Sequence, residues 1–252
     1  MKKTLIALSI LTTGAYAVPA PLWSTTGDET PTSYTISNLD SFSVAITLDI
    51  DTLKSESGSN FNGSAKIIDL TGSWNTSNLD GTLDINVNGN STSKTSTLYI
   101  GSTPGKGDYK SNYSLTGISG TNIFTSSTNW TLIDAASLVF VKDGSAANDA
   151  VYAYFTLKYT NGTSTVYEGS NTGIKFTIDH DDDEATAKVA DTHFNVSTIT
   201  FANGFATSAQ VYSSALSATD AKAVGAALIP EPTTATLSLL ALAGLAARRR
   251  RR

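Results

Sequence analysis

The 252-residue chain contains no cysteine, which excludes disulfides, thiolate metal sites and cysteine nucleophiles. Arginine is missing everywhere except the last five positions, Arg248–Arg252. A body without the planar guanidinium fork lacks the usual means of gripping phosphate at two points. Histidine occurs twice, as His180 and His193, in or beside polar stretches, and no G-x-S-x-G elbow is present. Serine-hydrolase chemistry and a histidine zinc site therefore lack their full sets of groups. Glutamate is scarce too. Between residues 18 and 229 it occurs at Glu29, Glu56, Glu168 and Glu184, no two of them close in sequence, whereas glycoside hydrolysis needs two carboxyl groups facing one sugar bond. Asp49 and Asp51 point the same way on a strand, but on its expected solvent side. No fixed repeat period runs through the chain, which argues against a solenoid.

Both ends of the chain carry transport chemistry. Lys2 and Lys3 precede an apolar core from Leu5 to Leu11, and Ala15-Tyr16-Ala17 supplies a small-x-small cleavage site, so residues 1–17 are expected to be a signal peptide and Val18 the first mature residue. At the other end, Pro230-Glu231-Pro232 is followed by an apolar run from Ala235 to Ala247 and then by the arginine block. Thirteen residues fall short of the roughly 20 that span a bilayer comfortably. The arginines would stay on the cytoplasmic side, and the prolines would hold Glu231 in extended chain just outside the membrane. This order resembles the PEP-CTERM sorting tail of exported bacterial proteins. The resemblance implies a sorting segment over 230–252 with a transmembrane helix as a transient anchor. It also implies an exosortase-like membrane protease as partner, and a destination at the cell surface or in the extracellular matrix.

Without these signals about 212 residues remain, enough for one β-sandwich domain over 18–229. They hold ten lysines against 21 acidic residues, a net charge near −11, so nucleic acid is excluded as a partner.

Period-two alternation and short apolar runs between turns predict strands in the body. Phe42, Val44, Ile46, Leu48 and Ile50 alternate with Ser41, Ser43, Ala45, Thr47 and Asp49, one face buried and one wet. Further strands are predicted at 66–70, 83–88, 97–100, 137–141, 151–159, 165–167, 174–178, 194–201 and 209–212, with turns at Asn88-Gly89 and Asn161-Gly162. One helix is expected over 218–228, capped by Ser217 with Asp220 reaching back. The stretch Ala209–Asp220, with Ala215-Leu216-Ser217, resembles the close of a LamG-like, concanavalin-type jelly roll, although the arginine usual in that strand is absent and Asp220 stands for a glutamate. Phe42–Ile50 with Ile67–Leu70, and Tyr154–Gly169, resemble other parts of that fold. The expected fold class is thus an all-β jelly-roll sandwich, flanked by a signal peptide and a hydrophobic sorting helix.

Two ligand sites are candidates. The acidic run containing Asp179, Asp181 and Asp183 offers hard oxygens for Ca²⁺, and LamG-like domains hold calcium at such a rim. Tyr152 and Tyr154 fall on the strand face opposite Val151, Ala153, Phe155 and Leu157, where an exposed pair would stack on a sugar. The expectation is a non-enzymatic exported sandwich with neutral polysaccharide as its candidate ligand. The rival readings are a glycoside hydrolase with unrecognised carboxylates and a structural coat protein without a ligand.

Overall fold

Alternating apolar and polar residues build the strands, and the apolar face of each decides how it packs. The structure, a computed structural model, describes residues 18–25, 31–52, 63–75, 80–90, 95–104, 111–114, 132–145, 149–174, 176–178, 189–191, 193–202 and 204–229. The segment 1–17 with Ala15 and Ala17, the stretch with Asp179, Asp181 and Asp183, and the tail 230–252 with Pro230, Glu231 and Pro232 lie outside the described residues.

Two six-stranded antiparallel sheets carry the fold. Sheet I runs in the order β1 (Trp23–Ser24), β14 (Ala206–Tyr212), β3 (Phe42–Leu48), β8 (Ile133–Asp143), β9 (Asp149–Tyr159) and β10 (Ser164–Ile174). Sheet II runs β2 (Ser33–Leu39), β13 (Phe194–Phe201), β4 (Gly63–Trp74), β5 (Asp80–Asn90), β6 (Thr95–Pro104) and β7 (Ser111–Ser114). A small pair, β11 (Phe176–Ile178) with β12 (Val189–Asp191), stands apart from both. One core joins the sheets. Phe42, Val44, Ile46, Leu138, Phe140 and Phe155 from sheet I meet Ile68, Leu70, Trp74, Leu83, Phe194 and Ile199 from sheet II. The predicted all-β sandwich is therefore observed at the level of two antiparallel sheets around a shared core.

The expected wet face of β3 is not wet. Helix α1 (Ala218–Leu228) lies across the outside of sheet I, where Leu216, Ala221 and Val224 pack on Ala45, Val139, Val141, Tyr154 and Tyr212. The central strands of sheet I are buried on both faces, so small and apolar residues occupy the positions that alternation alone assigns to solvent. The helix begins as expected. The Ser217 hydroxyl accepts from the Asp220 N–H at 3.2 Å and donates to the Asp220 carboxylate at 2.6 Å.

One turn also moves. Asn88 and Gly89 stay within β5, paired on one side with Ser64 and Gly63 and on the other with Thr97 and Ser96. Ladders on both flanks hold that backbone extended, and the β5–β6 connection comes after Asn90. The Asn161-Gly162 turn stands where predicted. Gly162 has φ of +84°, and the Asn161 side chain accepts from the Thr163 N–H at 3.0 Å.

Candidate functional site

At one end of the sandwich, four polar side chains converge from four segments. Lys142 lies near the end of β8, Asp149 opens β9, Asp40 sits in the turn between β2 and β3, and His193 immediately precedes β13. Lys142 continues the alternation of Leu138 and Phe140, so its side chain points into the sandwich and has no exposed surface. A charge there requires partners. Its Nζ lies 2.8 Å from Asp149 Oδ1 and 3.0 Å from Asp40 Oδ1, and it also donates to the Asp40 carbonyl. The other oxygen of Asp149 accepts from the Phe194 N–H at 2.8 Å. Burial pushes the Asp149 carboxyl above its usual range, against the opposing pull of Lys142.

His193 Nδ1 approaches Asp149 Oδ1 to 3.3 Å and Asp40 Oδ1 to 3.7 Å. Asp40, Asp149 and His193 together have the donor types of a metal site. The Lys142 ammonium, however, already lies within 3.0 Å of an oxygen from each carboxylate, so an internal cation takes the position between them. Gly144 allows the turn to close here. A Cβ on it would sit 2.1 Å from the Asp40 carboxylate, and its N–H donates to Ser41 Oγ at 3.0 Å.

A second ionic group lies on the outer face of sheet II. The register of β4 against β5 sets Asp69 directly opposite Asp84, and Lys66 bridges them at 3.0 and 2.9 Å. Burial raises the Asp84 carboxyl, with Lys66 opposing that shift. The same lysine is held charged by both aspartates, which outweigh its own partial burial. Thr71 and Thr200 stand exposed on the adjoining positions.

The tyrosines of the expected sugar platform are not an exposed pair. Tyr154 is 6% exposed beneath α1, with Lys222 Nζ 5.9 Å from its ring centroid, and Tyr152 is half-buried beside it. Lys222 is held there by Glu168 at 2.7 Å. The helix that covers Tyr154 is the same one the sequence predicts, but where it would dock was not readable from its own residues. Asp49 is a local cap whose carboxylate accepts from the Thr52 N–H at 2.6 Å, while Asp51 is exposed.

Sequence reading missed Lys142, Asp149 and the Asp69–Asp84 pairing. For Lys142 a signal existed, since it extends the alternation of Leu138 and Phe140 by one step. The Asp69–Asp84 pairing depends on strand register and had no local signal. No described helix is long and apolar enough to cross a membrane. No protein-family model matches the chain, and no curated protein is significantly similar to it.

Proposed function

We propose that this is an exported, non-enzymatic surface protein, a LamG-like jelly-roll sandwich released at the cell surface or into the extracellular matrix through its PEP-CTERM tail. The observation that carries the reading is where the closing helix stops. Helix α1 ends at Leu228, Ile229 caps it and is 5% exposed, and Pro230-Glu231-Pro232 follow at once. A protease cutting at the Pro-Glu-Pro segment would leave intact every core contact made among the described residues, which reach to Ile229. At the other end Val18, the residue after the expected signal cut, is exposed. A Ser-capped helix after the closing strand, with two antiparallel sheets, supports the LamG-like type.

The non-enzymatic reading rests on charge pairing. Lys142 engages Asp149 and Asp40, and Lys66 engages Asp69 and Asp84. A glycoside hydrolase instead needs one carboxyl held as an acid and a second free to act as nucleophile or base. With Tyr154 covered, the ligand face under this reading is the outer face of sheet II, with Thr71, Thr200 and the Lys66–Asp69–Asp84 group. The acidic, arginine-free body would repel an anionic polymer, which favours neutral polysaccharide.

Mass spectrometry of the exported protein tests the processing. The expected product begins at Val18 and lacks Arg248–Arg252; surface protein with Arg252 still attached overturns tail removal. A glycan array run beside a reducing-sugar assay tests the task. Neutral glycans should bind weakly with little salt dependence, and release of reducing ends would put hydrolysis in place of binding.

A further inference from the structure

The core faces of β8 and β9 hold a lysine amine against a carboxyl group, and neither side chain has exposed surface. Lys142 pairs with Val151 in the ladder, so Asp149 is its diagonal neighbour on the same face. Both side chains are wholly buried, 2.8 Å apart from Nζ to Oδ1. Their backbone neighbours are aromatic. Phe42 is the cross-strand partner of Lys142 and lies 6.2 Å from Phe140. Phe194, 5.1 Å from Trp74 between ring centroids, gives its N–H to Asp149 Oδ2.

We propose that Lys142 and Asp149 condense into an intramolecular isopeptide bond between Nζ and Cγ. Where both side chains lack exposed surface, a neutral amine beside a neutral carboxylic acid competes well with two buried charges. Moving one proton from Nζ to Asp149 Oδ1 makes that pair. The amine lone pair then attacks Cγ, the N–C bond forms, and the carbonyl electrons move onto Oδ2. The Phe194 N–H already donates to that oxygen and stabilises the charge developing on it. The Asp40 carboxylate, 3.0 Å from Nζ, takes the second proton from nitrogen and delivers it to Oδ1. The Cγ–Oδ1 bond breaks, the carbonyl reforms, and one water leaves. The products are one amide and one water, with no oxidant, reductant or co-reactant. Asp40 and His193 are partly exposed, so the water has a route out. Burial of Asp149, which favours its protonated form, acts in the same direction.

Peptide mass spectrometry of the purified full chain tests this. Trypsin cannot cleave after a lysine whose amine is acylated. The wild-type digest should contain the peptide Ser111–Lys158, uncut at Lys142 and lighter by one water. Lys142→Arg keeps the positive charge but removes the nucleophile, and its digest should be cut after residue 142 with no water lost. Wild-type peptides cut after Lys142 and of unmodified mass overturn the proposal. A water-light peptide that persists in Lys142→Arg also overturns it, because the loss would then belong to Asp143-Gly144, which can dehydrate to a succinimide. Asp149→Ala should likewise abolish the uncut peptide. Asp40→Ala should reduce its yield severalfold, and an unchanged yield would remove Asp40 from the proton transfer.

Discussion

The Ser137 hydroxyl donates to the Gly225 carbonyl at 2.7 Å, a wholly buried hydrogen bond from the centre of sheet I to the middle of α1. It is possible because Gly225 lets the helix lie close. A Cβ at Gly225 would meet Thr156 Oγ1 at 3.1 Å, Ser137 Oγ at 3.4 Å and Val139 Cγ2 at 3.4 Å. Gly225→Leu should therefore lift the helix and cost about 1–3 kcal/mol in denaturant unfolding. Gly225→Ala should change stability far less, since its gain in helix propensity, about 1 kcal/mol, offsets a single tight contact. Equal stability of Gly225→Leu and wild type would show that α1 does not dock here.

Gly72 poses a harder constraint. A Cβ there would lie 2.0 Å from the Asn195 carbonyl oxygen, a backbone atom held in the β4–β13 ladder. The neighbour cannot rotate away as a side chain would. Gly72→Ala should cost about 3 kcal/mol, clearly more than Gly225→Ala, and a chemical denaturation midpoint close to wild type would refute the β4–β13 register.

Ile46 and Thr47 test which face of β3 is which. Ile46 is fully buried in the inter-sheet core, whereas Thr47 shares a 2.7 Å hydrogen bond with Ser208 and donates to the Leu228 carbonyl at 3.3 Å. Ile46→Asp should destabilise by several kcal/mol, roughly the cost of an unpaired charge in a core. Thr47→Asp should cost less, but not zero, because the carboxylate would face the C-terminal carbonyls of α1. If Thr47→Asp proves the more damaging in thermal melts, the strand is out of register.

Alkaline titration should single out Tyr167. Burial, then its contact with Tyr159 at 3.4 Å between hydroxyls, pushes its phenol up to about 12. The folded value lies above the unfolded one of about 10. The native state thus keeps the proton longer, and this contribution is complete below about pH 10 and lost as pH rises towards 12. Tyr167→Phe should remove the part of the alkaline stability loss that lies in this window. An ultraviolet phenolate titration in which the substitution deletes a transition near 10 rather than near 12 would contradict the environment seen for Tyr167.

Much of the sandwich was legible in the residues. The strand predicted at Phe194–Phe201 matches β13 at both ends, and the alternations at 41–50 and 151–159 locate β3 and β9 within a few residues. The Ser217–Asp220 cap and the Asn161-Gly162 turn were readable because each is closed by atoms a few residues apart. Asn88-Gly89 misled for the opposite reason, since ladders from β4 and β6 outweigh a local turn preference.

The candidate sites were legible only in part. The Tyr152–Tyr154 face was placed correctly opposite Val151 and Phe155, but its covering by α1 joins residues far apart in the chain. Asp69 and Asp84 were visible as polar positions, and only the register of two strands sets them opposite each other.

By itself the sequence determined the strand periods, the capped helix and the chemical classes the composition excludes, because these depend on neighbouring residues and on which side chains exist at all. The tertiary structure alone decided that α1 covers the outer face of the central strands of sheet I and that Lys142 stands against Asp149. Burial and charge pairing are set by groups brought together across the chain, such as Lys142 with Asp40, 102 positions apart. No local pattern encodes how far water is excluded from such a pair, and that exclusion governs its chemistry.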